Sequence, residues 1–329
     1  MLLTDDLCGE HISTRILALG QAGEHAPRTP ASRLSGLPTT AHELAQTPLG
    51  VLPVSRSALH LLVSDEKLRV QKHKHVYRVS TGGFVPYSFV QVSENICIAS
   101  PELTLVQVSE RLTLPQLART VDELCGTYLP QRGYGGGFID EVPSATTLGE
   151  ISRCAAEHKG IFHTRTLQRA LSHCAEKSAS PKETELQLLL NLPTVCGGAQ
   201  IPRFEMNVTL GIPPELRRYL GQACVKPDLF RAQELLDIEY MSDQEHLGEQ
   251  RKRHDSRRRN VIEAMGIAVI DVWKEDLSSA AAFERIIMQV KQHLGLRYRT
   301  PSSATLARRR RAMSELREPL RIDDKPVSI

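Results

Sequence analysis

The stretch KPDLFRAQELLDIEYMSDQEH, residues Lys226–His246, holds two short apolar runs separated by a few polar residues. The runs are typical of strands, and the segment Ala232–Leu235 between them predicts a hairpin loop. In the register that this loop favours, Asp228 lies opposite Glu239 on one face of the sheet, with the Cβ atoms about 5 Å apart. Two carboxylates at this spacing repel each other, so the pair is expected to require a cation.

Oxygen ligands of this kind suit Mg²⁺, which takes one or two carboxylates and completes its shell with waters and a substrate phosphate. Upstream of the hairpin, a helix is predicted to begin after Ser180, with Pro181 at its first position and Glu183 at its third. This helix can carry Glu183 over the sheet edge, where it would position a metal-bound water. The three acidic residues together predict a metal-assisted phosphodiester hydrolase.

Each acidic residue also has an interpretation that needs no catalysis. Glu183 can serve only as the N3 residue of a capping box. Asp228, which follows a proline, can end a strand, and Glu239 can be an exposed strand residue paired with Lys226. A DNA-binding regulator that has the fold without a working site is therefore the alternative function.

The elements around the hairpin predict an α/β fold. RFEMNVTL alternates as a half-buried strand, a short helical insertion PPELRRYLG follows, and the hairpin adds two more strands. After a helix that ends at Gly266, the nearly all-apolar IAVIDVW predicts a central strand. SAAAFERIIMQVKQHLG predicts a closing helix. The predicted order is an α-β-β-β-α-β core followed by a helix.

The strings SPKETEL, KPDLF, DIEYMSDQEH and HDSRRRNVIEAMGIAVIDV resemble the Vsr-like nuclease domain of the PD-(D/E)xK endonuclease superfamily. The resemblance implies a restriction-endonuclease-like fold and a DNA endonuclease that depends on Mg²⁺ or Mn²⁺. Asp228 and Glu239 match the metal ligands of the family, and Glu183 matches its helical Glu, so all three are predicted to be catalytic.

The resemblance extends to accessory positions, and the chain departs from the family pattern at one position. His246 matches a His after the acidic strand, and Asp255 with Arg258 matches a D-x-x-R pattern that begins the next helix. Met241 stands where the superfamily usually has Lys and the Vsr-like branch commonly has Asp. A thioether cannot deprotonate water and is a poor ligand for a hard cation, so Met241 argues against activity.

The helix after the hairpin begins with the basic run RKRHDSRRR, residues 251–259. Asp255 and Arg258 lie three residues apart and are expected to pair, holding the helix to the sheet. Side chains free to contact DNA phosphates would fix the position of a nucleic acid without reading its sequence. The alternative is a solvated helix face. The predicted nucleic-acid-binding residues are Arg251, Lys252, Arg253, Arg257 and Arg259.

Composition shifts along the chain predict five segments. Residues 1–50 are a polar, proline-interrupted leader with one helical patch at Ile12–Leu19, and residues 51–130 form a smaller α/β module that resembles AbiEi-type antitoxin-like regulators, chiefly in SPELTLVQVSERL. Residues 131–178 are a linker with two helices, read as packing helices rather than a helix-turn-helix. The nuclease-like domain spans 179–296, and 297–329 is a basic tail that is expected to be disordered.

Composition excludes several classes of protein. The chain has 329 residues and a net charge of only +3, so overall charge does not identify a partner. Its seven cysteines are scattered without zinc spacing and predict reduced, mostly buried thiols. The loop RGYGGGF neither follows a clear strand nor opens a helix, which excludes a P-loop. With no signal peptide and no membrane span, a cytoplasmic protein is expected.

Overall fold

The computed structural model describes residues 2–4, 60–63, 76–79, 84–93, 96–131, 137–159, 164–241, 249–318 and 320. The chain is mixed α/β and forms two compact units, residues 1–172 with 319–329, and residues 173–318. Within the described ranges, no helix is long and apolar enough to cross a membrane. Buried thiols were expected, and four cysteines are buried: Cys97, Cys125, Cys154 and Cys174.

The first unit contains a five-stranded sheet of order β3-β2-β1-β5-β4. Its central strand β1 comes from the segment predicted as a leader, which sequence analysis did not foresee. The rest of that leader, including the helical patch at 12–19, lies outside the described residues. The strands are β1 (Leu2–Thr4), β2 (His60–Val63), β3 (Val76–Val79), β4 (Phe89–Ser93) and β5 (Ile96–Ala99).

The helices of the first unit begin at the caps that the sequence predicts. Ser100 accepts from the Leu103 N–H, and Thr113 forms a capping box with Gln116, because short polar side chains satisfy the first free N–H groups of a helix. The remaining elements are α1 (Pro101–Val108), α2 (Leu114–Cys125), β6 (Leu129–Gln131), β7 (Gly137–Ile139), α3 (Leu148–Glu157) and α4 (Arg165–Leu171).

The second unit begins with α5 (Pro181–Asn191), capped by Ser180, and a 3-10 turn at Thr194–Cys196. It continues with β8 (Glu205–Met206), β9 (Leu210–Gly211), α6 (Pro214–Leu220), β10 (Cys224–Val225), β11 (Leu229–Arg231), β12 (Leu236–Met241), α7 (Glu249–Ala264), β13 (Ala268–Trp273), α8 (Ala280–His293) and α9 (Ser303–Arg317).

The predicted hairpin is confirmed in both its loop and its register. Strands β11 and β12 are antiparallel with Leu229 opposite Ile238, and the turn occupies residues 232–235. They belong to a four-stranded sheet of order β13-β12-β11-β8, in which β13 runs parallel to β12. On one face, Phe230 and Val269 pack with Val261 of α7 in a small apolar core. Helix α7 therefore covers the face that carries the acidic residues of β12.

Two strand predictions are wrong in detail. RFEMNVTL is not one strand: β8 and β9 join different sheets because Asn207 between them adopts a left-handed φ of 49°, which interrupts extended backbone. IAVIDVW is not central, since β13 forms an edge of the four-stranded sheet among the residues described. Its outer side is flanked instead by α7 and α8, including Arg259 and His293.

The prediction of a disordered tail is wrong for residues 303–317, which form α9. Ser302 caps the helix, and Ala312, Met313 and Leu316 bury one face, so the segment has the apolar stripe of a docked helix. Arg309 is only 3% exposed and donates to the Gly197 carbonyl. In the basic run ARRRRA, Arg309 is therefore buried and anchors the helix, whereas the other arginines are exposed.

Candidate acidic site

The acidic site lies where β11 begins and β12 ends. Asp228 directly precedes β11, and the register that pairs Leu229 with Ile238 continues outward to Asp228 and Glu239. The Asp228 Oδ2 accepts a 2.9 Å hydrogen bond from the backbone N–H of Tyr240, so this carboxylate is held against β12. The structure therefore brings the two predicted metal ligands together.

Glu183 reaches the same place from α5 and is held by three donors. Its Oε2 accepts from the Ala179 N–H at 2.9 Å and from Asn207 Nδ2 at 2.7 Å, and its Oε1 accepts from the Ser180 hydroxyl at 2.8 Å. The N-cap is confirmed, because Ser180 also accepts from the Glu183 N–H, but the predicted capping box is not formed, since the Glu183 carboxylate bonds the Ala179 N–H rather than that of Ser180. A cap alone does not require Asn207, so Glu183 has a second set of contacts within the site.

Asn207 is a residue of the site that sequence analysis missed. Its side chain bonds Glu183, and its backbone N–H donates to the Asp228 carbonyl at 3.2 Å. The left-handed φ that breaks the predicted strand therefore places one residue between two of the acids. Asn is one of the few residues that adopt this conformation readily. The Asn within RFEMNVTL could therefore have indicated that the strand is interrupted there.

Arg258 supplies the cation beside Glu239. Its Nη1 donates to Glu239 Oε2 at 2.6 Å, and its Nη2 donates to the Lys226 carbonyl. The predicted pair of Asp255 with Arg258 is wrong, because Asp255 lies 3.8 Å from the neighbouring His254 instead. The interpretation of Glu239 as an exposed residue paired with Lys226 is also wrong, since Glu239 is buried. Arg258 fastens α7 to the sheet.

Asp237 is a fourth acid that the sequence analysis did not include. Residues two apart on a strand share a face, so Asp237 lies beside Glu239 under α7. It is fully buried, no donor group of the described residues reaches its oxygens, and its carboxyl group lies within hydrogen-bonding reach of that of Glu239. Oε1 of Glu239 is also buried, and no donor group of the described residues reaches it. In DIEYM, Asp237 stands two residues before Glu239, and this spacing could have identified Asp237 as a member of the site.

The site is short of positive charge. Burial, followed by the nearby Glu239 and Glu183, raises the pKa of Asp228 well above its usual value. Burial and then Glu239 raise the pKa of Asp237 to about 10. Burial also raises the pKa of Glu183, against the hydrogen bonds from Ala179, Asn207 and Ser180. Glu183, Asp228 and Asp237 therefore bind protons more readily than free carboxylates do, and a divalent cation would compete with those protons.

The residues fit a divalent cation with few protein ligands. Across the described ranges, no group of three or more His, Cys, Asp or Glu side chains is placed to hold a metal ion. Mg²⁺ and similar ions need only one or two carboxylates when water and phosphate complete the shell. Asp228 and Glu239 offer this number, and since Arg258 contacts Oε2 of Glu239, Oε1 would be the oxygen that binds such an ion. Met241 contributes no oxygen ligand.

The predicted DNA-binding residues of α7 divide into two groups. Arg253 and Arg257 are exposed. Arg259 is instead engaged with Glu263 at 2.9 Å and with Asp271 of β13, so it contributes to the fold. The side chains of Arg251 and Lys252, and the whole of His246, lie outside the described residues.

Comparison of the chain with protein-family models, with curated proteins and with solved structures gave no significant match. The resemblance to the nuclease family therefore rests on the quoted strings alone.

Proposed function

We propose that this protein is a metal-dependent endonuclease that hydrolyses DNA phosphodiester bonds, with a restriction-endonuclease-like core in residues 173–318. The observation that carries the proposal is the meeting of Glu183, Asp228 and Glu239, which come from a helix, a strand start and a second strand. Burial raises the pKa values of Asp228 and Glu183, which favours a site made for a divalent ion.

In this proposal, each acidic residue has its own role. Asp228 and Glu239 would hold Mg²⁺ or Mn²⁺, and the ion would polarise the scissile phosphate and activate a water. Glu183 is fixed by Asn207 and would orient that water. Burial raises the pKa of Glu183, which moves it toward the range in which a general base works near neutral pH.

DNA would be held by phosphate contacts from the exposed side of α7. Arg253 and Arg257 are exposed on the helix that also carries Arg258. Since Arg258 contacts Glu239 directly, a phosphate bound along α7 would lie close to the acidic site. Backbone contacts of this kind position a nucleic acid but do not select its sequence.

The second candidate function is a DNA-binding regulator that has the nuclease fold but no activity, resembling antitoxin-like proteins. Two observations favour it. Met241 stands at the position where Lys or Asp is expected, and Arg258 already neutralises part of the charge on Glu239. In this case the site would be closed by the ion pair of Arg258 with Glu239, and Glu183, Asp228 and Asp237 would keep their raised pKa values.

A plasmid-nicking assay separates the two candidates. The enzyme is expected to nick supercoiled DNA with Mg²⁺ or Mn²⁺ and to stop when EDTA is added. Asp228→Asn should abolish nicking, because it replaces a carboxylate ligand by a neutral amide that Mg²⁺ binds weakly. Glu205→Gln, at an exposed position on β8, is the matched control and should keep full activity. A folded wild type that never nicks DNA would favour the regulator.

A further inference from the structure

Lys226 stands at the rim of the acidic site, and its backbone is held in place. Its carbonyl accepts a 2.5 Å hydrogen bond from Arg258 Nη2, while Nη1 of the same guanidinium donates to Glu239. Val225 before it and Pro227 after it are both buried. One planar guanidinium therefore links the main chain of Lys226 to a carboxylate of the site.

The side chain of Lys226, in contrast, is exposed and takes no part in the fold. Pairing of Lys226 with Glu239 was one interpretation of the sequence, but Arg258 takes that place. Among the described residues, no carboxylate forms an ion pair with the Lys226 ammonium. A positive charge on a flexible four-carbon stem is thus free to take a ligand next to the acids.

A phosphate that approaches the carboxylates needs positive charge on its own side, because like charges repel. The guanidinium of Arg258 is turned toward Glu239, and its side chain is only 24% exposed. Lys226 comes two residues before Asp228, so the two Cα atoms lie no more than about 7 Å apart. Its ammonium can reach a phosphate at the site without breaking any contact of the fold.

We propose that the Lys226 ammonium binds a phosphate of the DNA strand that enters the acidic site. The inference rests on the proposed function and names the residue that holds the substrate group beside the acids. Lysine binds phosphate as a point charge with three rotatable donors, so it can follow the group as a metal ion takes one of its oxygens. The contact carries no information about DNA sequence.

Hydrolysis of bis(p-nitrophenyl) phosphate with Mn²⁺ tests the contact, because this small diester is too short to extend along α7. Lys226→Gln should raise KM about tenfold, the scale of one hydrogen bond to a charged group. The change in kcat should be smaller, since the contact is already made in the bound substrate. Lys226→Arg keeps the charge and should retain most of the wild-type affinity. Lys159→Gln, at an exposed position of the first unit, is the matched control and should behave as wild type.

Three further measurements separate a phosphate contact from a structural role. Thermal unfolding of Lys226→Gln should match that of the wild type, because only the backbone of Lys226 is bonded within the fold. Its Mn²⁺ affinity, measured by isothermal titration, should not fall, since the ammonium is not a metal ligand. On duplex DNA in EDTA, the slope of log affinity against log salt should decrease by about 0.9, the contribution of one phosphate contact.

Failure of this inference differs from failure of the proposed function. If the wild type hydrolyses the diester and a folded Lys226→Gln variant does so with the same KM, the contact is overturned and the endonuclease stands. If the wild type hydrolyses neither the diester nor DNA, the proposed activity falls, and the salt slope of DNA binding decides whether Lys226 meets a phosphate. A wild type that binds no DNA would overturn both.

Discussion

Arg258 of α7 donates a 2.6 Å hydrogen bond to Glu239 of β12, and its charge also acts on Asp228 and Asp237 of the acidic site. The remaining acids are Glu183, Asp228 and Asp237, and all three have raised pKa values. Carboxylates are costly to bury without a partner. The site therefore either keeps protons or takes up a cation, and the predictions below distinguish these two states.

Removing Arg258 should destabilise the protein and increase its dependence on metal. Arg258→Gln leaves the carboxylate of Glu239 buried without its cation, which is expected to cost about 3 kcal/mol in urea denaturation. Mn²⁺ should then stabilise the variant more than the wild type, because the ion replaces the missing charge. Arg257→Gln, at an exposed position on the same helix, is the control. Unchanged stability in Arg258→Gln would mean that the ion pair contributes nothing.

The pH dependence of stability should depend on Asp237. Its pKa is raised to about 10 in the folded protein, whereas an unfolded Asp releases its proton near about 3.9. Between these values the folded state binds more protons, so this group makes stability fall as pH rises, by up to about 1.4 kcal/mol per pH unit.

Asp237→Asn should remove that contribution. Denaturation in EDTA at pH 6 and pH 9 should therefore show a smaller loss of stability in the variant than in the wild type. Asp140→Asn, at an exposed position of the first unit, should follow the wild type. The same loss in Asp237→Asn and wild type would show that this carboxyl is not protonated in the folded state.

An oxygen ligand at position 241 should increase cleavage. Met241 lies on the same face of β12 as Glu239 and is only partly buried, so Asp can be placed there without filling the core. Met241→Asp should raise the nicking rate with Mg²⁺ by about tenfold or more, since hard cations prefer carboxylates to thioethers. Met241→Leu keeps the size without oxygen and should not. A folded, DNA-binding Met241→Asp variant that stays inert would show that another feature limits the chemistry.

The arginines of α7 should differ in how strongly their replacement changes the salt dependence of duplex-DNA binding. Replacing both Arg253 and Arg257 by Gln should lower the slope of log affinity against log salt by about 1.8, since each phosphate contact contributes about 0.9. Arg259→Gln should hardly change the slope, because Glu263 and Asp271 engage this side chain. A large change of slope in Arg259→Gln alone would contradict the division of the basic run.

Docking of α9 should make Gly197 sensitive to substitution. A Cβ at Gly197 would lie 2.6 Å from the Arg308 carbonyl oxygen, and the residue has a φ of 94°. Gly197→Ala is expected to cost about 3 kcal/mol or more, from backbone strain and from displacement of α9. Gly221→Ala meets no atom within 4 Å at a φ of 72°, so only strain of about 1 kcal/mol remains. Equal losses in thermal unfolding would show that α9 does not pack as described.

Local interactions determined what the sequence predicted well. Ser180, Thr113 and Ser100 cap their helices because a short side chain needs only its own first turn. The loop at 232–235 sets the hairpin register, and this alone placed Asp228 opposite Glu239. These contacts span few residues, so the amino-acid pattern was sufficient.

Packing between distant segments decided the rest. Arg258 bonds Glu239 rather than Asp255 because α7 lies on the acidic face of the sheet. Asn207 connects Glu183 to Asp228 only because a left-handed residue divides β8 from β9. The burial of Asp237 and the docking of Arg309 likewise depend on helices that approach from elsewhere in the chain. The sequence by itself predicted that Glu183, Asp228 and Glu239 meet. The tertiary structure added Asp237 and decided which charge opposes these acids, because a side chain's long-range partner is set by how helices and sheet pack.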